Sequence, residues 1–361
     1  MKVEKISLLR LKLPMKFAFQ TAKGLLKERE TLVIVAEDGK SNKGYGEVVS
    51  FTMPFYTSET LADSWQALNS YIPQILTTNL DHPFDVHKRF EKPLPMAVAG
   101  LENALLDLYY KEKGENTIAS LFAEKLASKI ERGAVLGLSQ PLTAIEDLKT
   151  AGVSRIKFKA EPGSYPKVKE AVETYPDLTL ALDANRSFTE KDLKELRKLD
   201  QLGLACIEEP VADLSLYQKL RLQTPVCFDE SVQNLEQLQT VSKLPVTVWL
   251  NIKIGRLGGL YQTRQIIDYC REHQIPFWIG SMLESGISKI LHVQLAALSG
   301  NIMPGDLSDS SHYFEADLIE PALSFHHGKM TVPKKAGLGV AVREDLLDEY
   351  CMEKRAFDKF S

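Results

Sequence analysis

The spacing of apolar residues changes rhythm near residue 132. Before it, residues 3–13 alternate loosely, residues 31–36 (TLVIVA) read as a strand closed by Glu37-Asp38-Gly39, and residues 44–49 return as its hairpin partner. An antiparallel sheet therefore starts the chain. From 58 to 76, Leu61, Trp65, Leu68, Tyr71 and Ile72 fall at helical spacing, with Thr57 or Ser58 as N-cap, and a second helix is predicted over 96–111. After Arg132, short apolar runs alternate with amphipathic stretches. The predicted strands are 134–138, 155–158, 178–182, 206–207, 226–228, 248–252, 277–279 and, most weakly marked, 301–303. Helices are predicted over 165–174, 189–198, 235–241 and 260–273, the second opening at Thr189 with Glu190 favourable to its dipole. Such alternation implies parallel strands joined by helical crossovers.

Five polar residues follow that rhythm, each closing or following an apolar run: Lys159, Asp183, Glu208, Asp229 and Lys253, at gaps of 24, 25, 21 and 24 residues. In a (β/α)8-type barrel, a modified TIM barrel, all five side chains would emerge on the C-terminal face, where such folds build active sites. The α/β reading divides the chain into an α+β capping domain (1–115), a barrel domain (116–318) and a C-terminal segment (319–361) returning to the cap. A doubly wound open sheet fits less well, because about eight strand–helix units are present and no GxGxxG follows the first strand. Gly255, Gly258 and Gly259 instead suit a tight turn after a strand.

The chemistry of the five residues is specific. Asp183, Glu208 and Asp229 offer oxygen-only ligation suited to a hard divalent cation, Mg²⁺ or alternatively Mn²⁺. Three clustered carboxylates without a cation would force one to keep its proton. One acid at a strand end is as readily a helix cap as a ligand; three at one period are harder to explain that way. Lys157 and Lys159 share strand parity and face the barrel interior, and Lys253 stands four strands further round, so a bound substrate would have an amine on each side. A metal-held carboxylate, a lysine removing the adjacent proton and Mg²⁺ stabilising the resulting enediolate make a coherent reaction.

Composition narrows the rest. The 361 residues carry a formal net charge of −4 with dispersed basic residues, which argues against nucleic acid and for a small-molecule carboxylate substrate. No run of about 18 apolar residues suggests a membrane span, and nothing at the start resembles a signal peptide, so a cytoplasmic enzyme is expected. Cys206, Cys227, Cys270 and Cys351 show no metal spacing and are expected as free thiols. His82, His87, His273, His292, His326 and His327 offer no rival base. Whether the chain forms a homo-oligomer stays open.

Lys157-Phe-Lys159, Leu182-Asp-Ala-Asn185, Ile207-Glu-Glu-Pro210, Phe228-Asp-Glu-Ser231, Asn251-Ile-Lys253 with Gly258-Gly259, Gly280-Ser-Met-Leu-Glu284 and Gly305-Asp-Leu-Ser308 resemble, in this order, the motifs of the enolase superfamily. The resemblance covers nearly the whole chain. It points to the muconate lactonizing enzyme subgroup and most of all to the o-succinylbenzoate synthase / N-succinylamino acid racemase family. It implies Asp183, Glu208 and Asp229 as metal ligands, Lys159 as acid/base catalyst, Lys157 as its electrostatic neighbour and Lys253 as the amine on the opposite side. It further implies Asn185, Ser281 and Glu284 near the substrate and Thr21 within a covering segment, 19–24. The implied reaction is a Mg²⁺-dependent syn dehydration by a carbon–oxygen lyase in menaquinone biosynthesis, with amino acid racemisation as the alternative. Dipeptide epimerases carry Asp-x-Asp after the eighth strand to grip an ammonium; here the stretch is Asp306-Leu307-Ser308, with Asp309 beside it. His312 stands where the resemblance leads one to expect arginine. A non-catalytic binding protein on this scaffold is disfavoured because all three acids and all three lysines are kept.

Overall fold

The computed structural model describes residues 2–21, 24–54 and 57–359, apart from the side chains of residues 19–26. The Thr21 side chain lies outside the described residues, as do residues 22 and 23 and every side chain of the covering segment expected over 19–24.

Four strands, Cys351–Asp358, Lys5–Thr21, Gly24–Glu37 and Lys43–Val48, form an antiparallel sheet in that spatial order. The loose alternation at its start has a physical cause, because both faces are covered. Ile6, Leu8, Leu32 and Ile34 enter one apolar cluster, while Leu9, Leu11, Val33 and Val35 enter another. The helix Leu61–Leu76 begins later than the predicted Thr57 or Ser58 cap, at Thr60. Thr60 Oγ1 accepts from Asp63 N and Asp63 accepts from Thr60 N, closing a capping box. The helix Pro95–Lys113 lies directly on Lys43–Val48, where a Cβ on Gly44 would stand 2.2 Å from the Ala104 carbonyl oxygen. Only glycine permits that approach.

Seven parallel strands, Gly133–Leu136, Arg155–Lys159, Thr179–Asp183, Ile207–Glu208, Val226–Phe228, Val248–Ile252 and Phe277–Ile279, follow one another in sequence order across a second sheet. With helices between them they make the barrel of a (β/α)8-type fold. Alternate residues face outward to the helices (Ile156, Phe158, Leu180, Leu182, Ile207) or into the barrel, which is plugged by Ala181, Cys206, Cys227, Trp278 and Met303. The predicted eighth strand is reduced to one bridge, Phe277 to Asn301, with Ile302 N donating to Phe277 O. Pro304 has no N–H to extend a ladder, and its carbonyl accepts from Arg155 instead, at 2.8 and 2.6 Å from Nε and Nη2. The helices at Tyr165–Thr174 and Leu235–Val241 match their predicted bounds. The stretch predicted as 189–198 opens with a Thr189/Asp192 capping box and a short 3-10 turn before Leu193–Leu199. All four cysteines are free thiols, three of them buried. Among the described residues no helix is long and apolar enough to cross a membrane.

Two sets of contacts lock the first sheet onto the barrel mouth. Buried Arg29 donates to the carbonyls of Val49, Ser50 and Leu283, and buried Glu47 accepts from Ser285 N, Ser285 Oγ and Ser288 N. At the other side, Lys16 N donates to Tyr313 O and Met15 bridges Phe314, which lays the first strand against the loop after the irregular eighth segment. In the C-terminal stretch Ile319–Glu320 pairs with Ala341–Val342 and Lys329–Thr331 with Lys129–Glu131, before Cys351–Asp358 supplies the edge strand.

Candidate active site

Lys157 and Lys159 end the second barrel strand, Lys253 follows the sixth, and Asp183, Glu208 and Asp229 end or follow the three strands between them. Neighbouring strand ends are in register, Lys159 opposite Asp183 and Asp183 opposite Glu208. The predicted period is thus converted into adjacency. The three acids, Lys157 and Lys253 are buried, whereas the Lys159 side chain is 43% exposed at the mouth.

The ammonium groups sit against the acids. Lys159 Nζ donates to Asp183 Oδ2 at 2.6 Å and Asn185 Oδ1 at 2.7 Å. Lys157 Nζ reaches Glu208 Oε2 at 2.9 Å, Asp306 Oδ2 at 2.5 Å and Asp183 Oδ2 at 3.3 Å. Lys253 Nζ donates to Asp229 Oδ2 at 2.6 Å, and Arg256 closes on the other Asp229 oxygen. Burial works to lower the Lys157 pKa, but Asp306, Glu208 and Asp183 outweigh it and raise it well above the ordinary lysine value. Burial raises Glu208; Lys157 pulls it down, Asp183 and Asp306 push it up, and it settles at about 7. Asp183 and Asp306 are lowered even though burial opposes this, Asp183 chiefly by Lys157 and Lys159, Asp306 by Lys157 and Arg155.

As the side chains stand, no three acidic, histidine or cysteine groups among the described residues converge into a ready-made metal cage. The donor set nevertheless fits a hard cation. Three oxygen-only carboxylates occupy adjacent strand ends, and a Glu208 that holds its proton to about pH 7 marks where additional positive charge would be taken up.

Several residues that shape the site were not singled out from the sequence. Arg155 shares the inward parity of Lys157 and Lys159; fully buried, it pairs with Asp306 Oδ1 at 2.9 Å and lies over Trp278. Strand parity could have found it. Asn251 donates to Glu208 Oε1 at 2.9 Å. Gly280 leaves the space through which Lys253 passes, since a Cβ there would lie 2.8 Å from Lys253 Cε and 2.3 Å from Asn251 Oδ1. Arg256 is buried enough to be pulled down to about 10, despite Glu209 and Glu208. Glu209, in the left-handed region at φ 42°, accepts from Asp229 N, Ser231 N, Ser231 Oγ and Arg186 Nε. Its oxygens are therefore occupied, unlike a carboxylate presented to the mouth.

The expected substrate neighbours differ in placement. Asn185, at φ 43°, lies beside Lys159 and also donates to Glu230. Ser281 Oγ donates to Asp306 O at 2.8 Å, which ties the loop after the seventh strand to the eighth segment. Glu284 is fully buried, accepts from Met282 N and faces His292, whose Nε2 accepts from Ile254 N next to Lys253. His312 is packed against Phe17 and Tyr313.

A barrel whose mouth sets three acids between two lysine-bearing strands, under an antiparallel cap, has the architecture of the enolase superfamily. Residues 142–346 match the family model described as Enolase C-terminal domain-like, and the chain belongs to this superfamily of enzymes. Full-length relatives narrow the placement. The o-succinylbenzoate synthase of Bacillus subtilis is 35% identical, with 98% of each chain covered. The N-succinylamino acid racemase of Thermus thermophilus is 34% identical over 98% of this chain and 99% of the relative. A solved structure of an enolase-superfamily member from Listeria innocua superposes with a TM-score of 0.93 at 28% identity, covering 99% of this chain and 100% of that one.

Proposed function

We propose that the chain is an o-succinylbenzoate synthase, a carbon–oxygen lyase that dehydrates 2-succinyl-6-hydroxy-2,4-cyclohexadiene-1-carboxylate to 2-succinylbenzoate in menaquinone biosynthesis, in the cytoplasm. The division at residues 115 and 318 belongs to the same proposal, with the pairing of Cys351–Asp358 to the first strand in its support. Asp183, Glu208 and Asp229 would hold one Mg²⁺. When bound, the cation supplies positive charge that acidifies the proton next to a substrate carboxylate.

The observation that carries the lyase reading is the inequality of the two lysine sides. Lys159 is accessible and held only at its tip by Asp183 and Asn185, as a group must be that takes a proton and hands it to a departing hydroxyl on the same side. Lys253 is buried and paired to Asp229 at 2.6 Å, an arrangement suited to a fixed positive charge that steadies developing negative charge. Lys157, held charged by three acids, adds to that field.

The second reading is racemisation of N-succinylamino acids, favoured by Lys253 standing across the site from Lys159 and by the 34% identity to a racemase. Incubation of the Mg²⁺-loaded enzyme with the dehydration substrate, and separately with an N-succinyl-L-amino acid in deuterated water, tests both. We expect 2-succinylbenzoate from the first. Its absence, with deuterium entering Cα and D-isomer accumulating in the second, would replace the lyase by the racemase.

A further inference from the structure

One cation near the mouth is left over by the chemistry described so far. Lys289, on the helix Gly286–Ala296 that follows the seventh strand, is only 1% exposed, yet it forms no ion pair among the described residues. Its Nζ lies 3.4 Å from Ser308 Oγ and 5.9 Å from the centre of the Tyr313 ring. An ammonium buried without a paired carboxylate is costly, and a group of opposite charge bound beside it would offset that cost.

The surroundings share that sign. His312, next to Tyr313, is held below the usual histidine pKa, first by burial and then by the nearby Lys289 ammonium, with Asp309 opposing and Arg132 and Lys16 acting in the same direction as Lys289. Asp309 in turn is 3.8 Å from Arg132. Asp306, two residues before Ser308, is committed to Lys157 and Arg155. Between them Leu307 turns into the outer core, while Asp306 and Ser308 are both partly exposed. Ser308 therefore links the reacting end of the site to Lys289.

We infer that Lys289 and Ser308 form the subsite for a second carboxylate on the substrate, the far end of a dicarboxylate whose near carboxylate lies among the acids and lysines. This rests on the reading of the site as one for succinylated carboxylates and extends it to the tail. Ser308 stands where Asp-x-Asp would place a second acid, and with Lys289 behind it the position favours an anion rather than an ammonium.

The test is binding, which does not depend on which reaction the enzyme performs. The probes are 2-succinylbenzoate and its analogue with the tail carboxylate replaced by a primary amide, titrated calorimetrically into the Mg²⁺-loaded full chain and its Lys289→Met and Lys289→Arg variants. The wild type is expected to prefer the dicarboxylate by roughly 10- to 100-fold. Lys289→Met should lose that preference with amide affinity unchanged, and Lys289→Arg should keep most of it. A wild type without the preference, or a Lys289→Met variant that retains it, overturns the subsite. If Lys289→Met does not fold, the Lys289→Arg variant and a Ser308→Asp variant decide: the subsite stands only if arginine preserves the preference and aspartate abolishes it. Failure of dehydration with the preference intact would refute the lyase and leave the subsite standing.

Discussion

The second and sixth barrel strands each bring a lysine to the same mouth and treat it differently. Lys159 leaves its strand end for solvent, 43% exposed, with Asp183 and Asn185 at its tip. Lys253 is enclosed: Asp229 pairs with it, Arg256 shares that acid, Gly280 leaves room for its stem, and the adjoining Ile254 N–H donates to His292. One residue type at one topological position therefore yields a group able to move and a group held still. The local neighbours decide which.

The largest expected break in this contrast is Lys159→Ala. It should lower dehydration by roughly 10³–10⁴-fold while Mg²⁺ binding survives, whereas Lys253→Met should lower it by about 10²-fold. Single-turnover kinetics on both variants, with metal titration as control, would reverse the assignment if the order came out the other way. Next comes Asp229→Asn, which removes the charge shared by Lys253 and Arg256 and is expected to destabilise the fold by about 3–5 kcal/mol and to weaken metal binding. Urea unfolding with and without Mg²⁺ reads both effects, and unchanged stability would mean the pairs contribute nothing net.

A smaller effect is expected from Gly280→Ala. The new Cβ meets Asn251 Oδ1 and Lys253 Cε, so the enclosed side should be disturbed by about 1–3 kcal/mol with Lys159 untouched. Urea unfolding reads the loss, and unchanged stability would show that Gly280 is not needed to enclose Lys253. The smallest effect is a pH dependence. Because the folded Glu208 pKa is raised to about 7, its proton stabilises the metal-free fold fully below the ordinary carboxylate pKa, and that contribution is lost as pH rises through about 7. Metal-free Tm should fall over this range. Mg²⁺ affinity should rise by up to about tenfold per pH unit and level off above it. Calorimetric titration at pH 6, 7 and 8 checks the slope, and a flat profile would remove Glu208 from the ligand set.

Strand residues carried much of this in their order along the chain. The period that placed Lys159, Asp183, Glu208, Asp229 and Lys253 at strand ends was legible because one strand, one helix and two loops have nearly constant length in such a barrel. Parity on the second strand brought in Lys157 and would have brought in Arg155. Less was legible where the chain leaves regular structure. The eighth strand was only weakly marked, since Pro304 and Gly305 divert it, and only glycine fits at 305 because a Cβ there would stand 1.8 Å from the Ile279 carbonyl oxygen. The loose alternation of the first strand hid a sheet buried on both faces.

By itself the sequence determined the barrel rhythm, the three acids and the lysines on either side of them, because side-chain direction in a strand alternates with a period of two and strand ends recur at fixed intervals. Only the tertiary structure decided which lysine is enclosed and which is open, that Glu209 is taken up by Asp229 N, Ser231 and Arg186, and that Lys289 is buried beside Ser308 with no acid paired to it among the described residues. Those outcomes depend on contacts between residues far apart in the chain, and no local pattern encodes the distance between them.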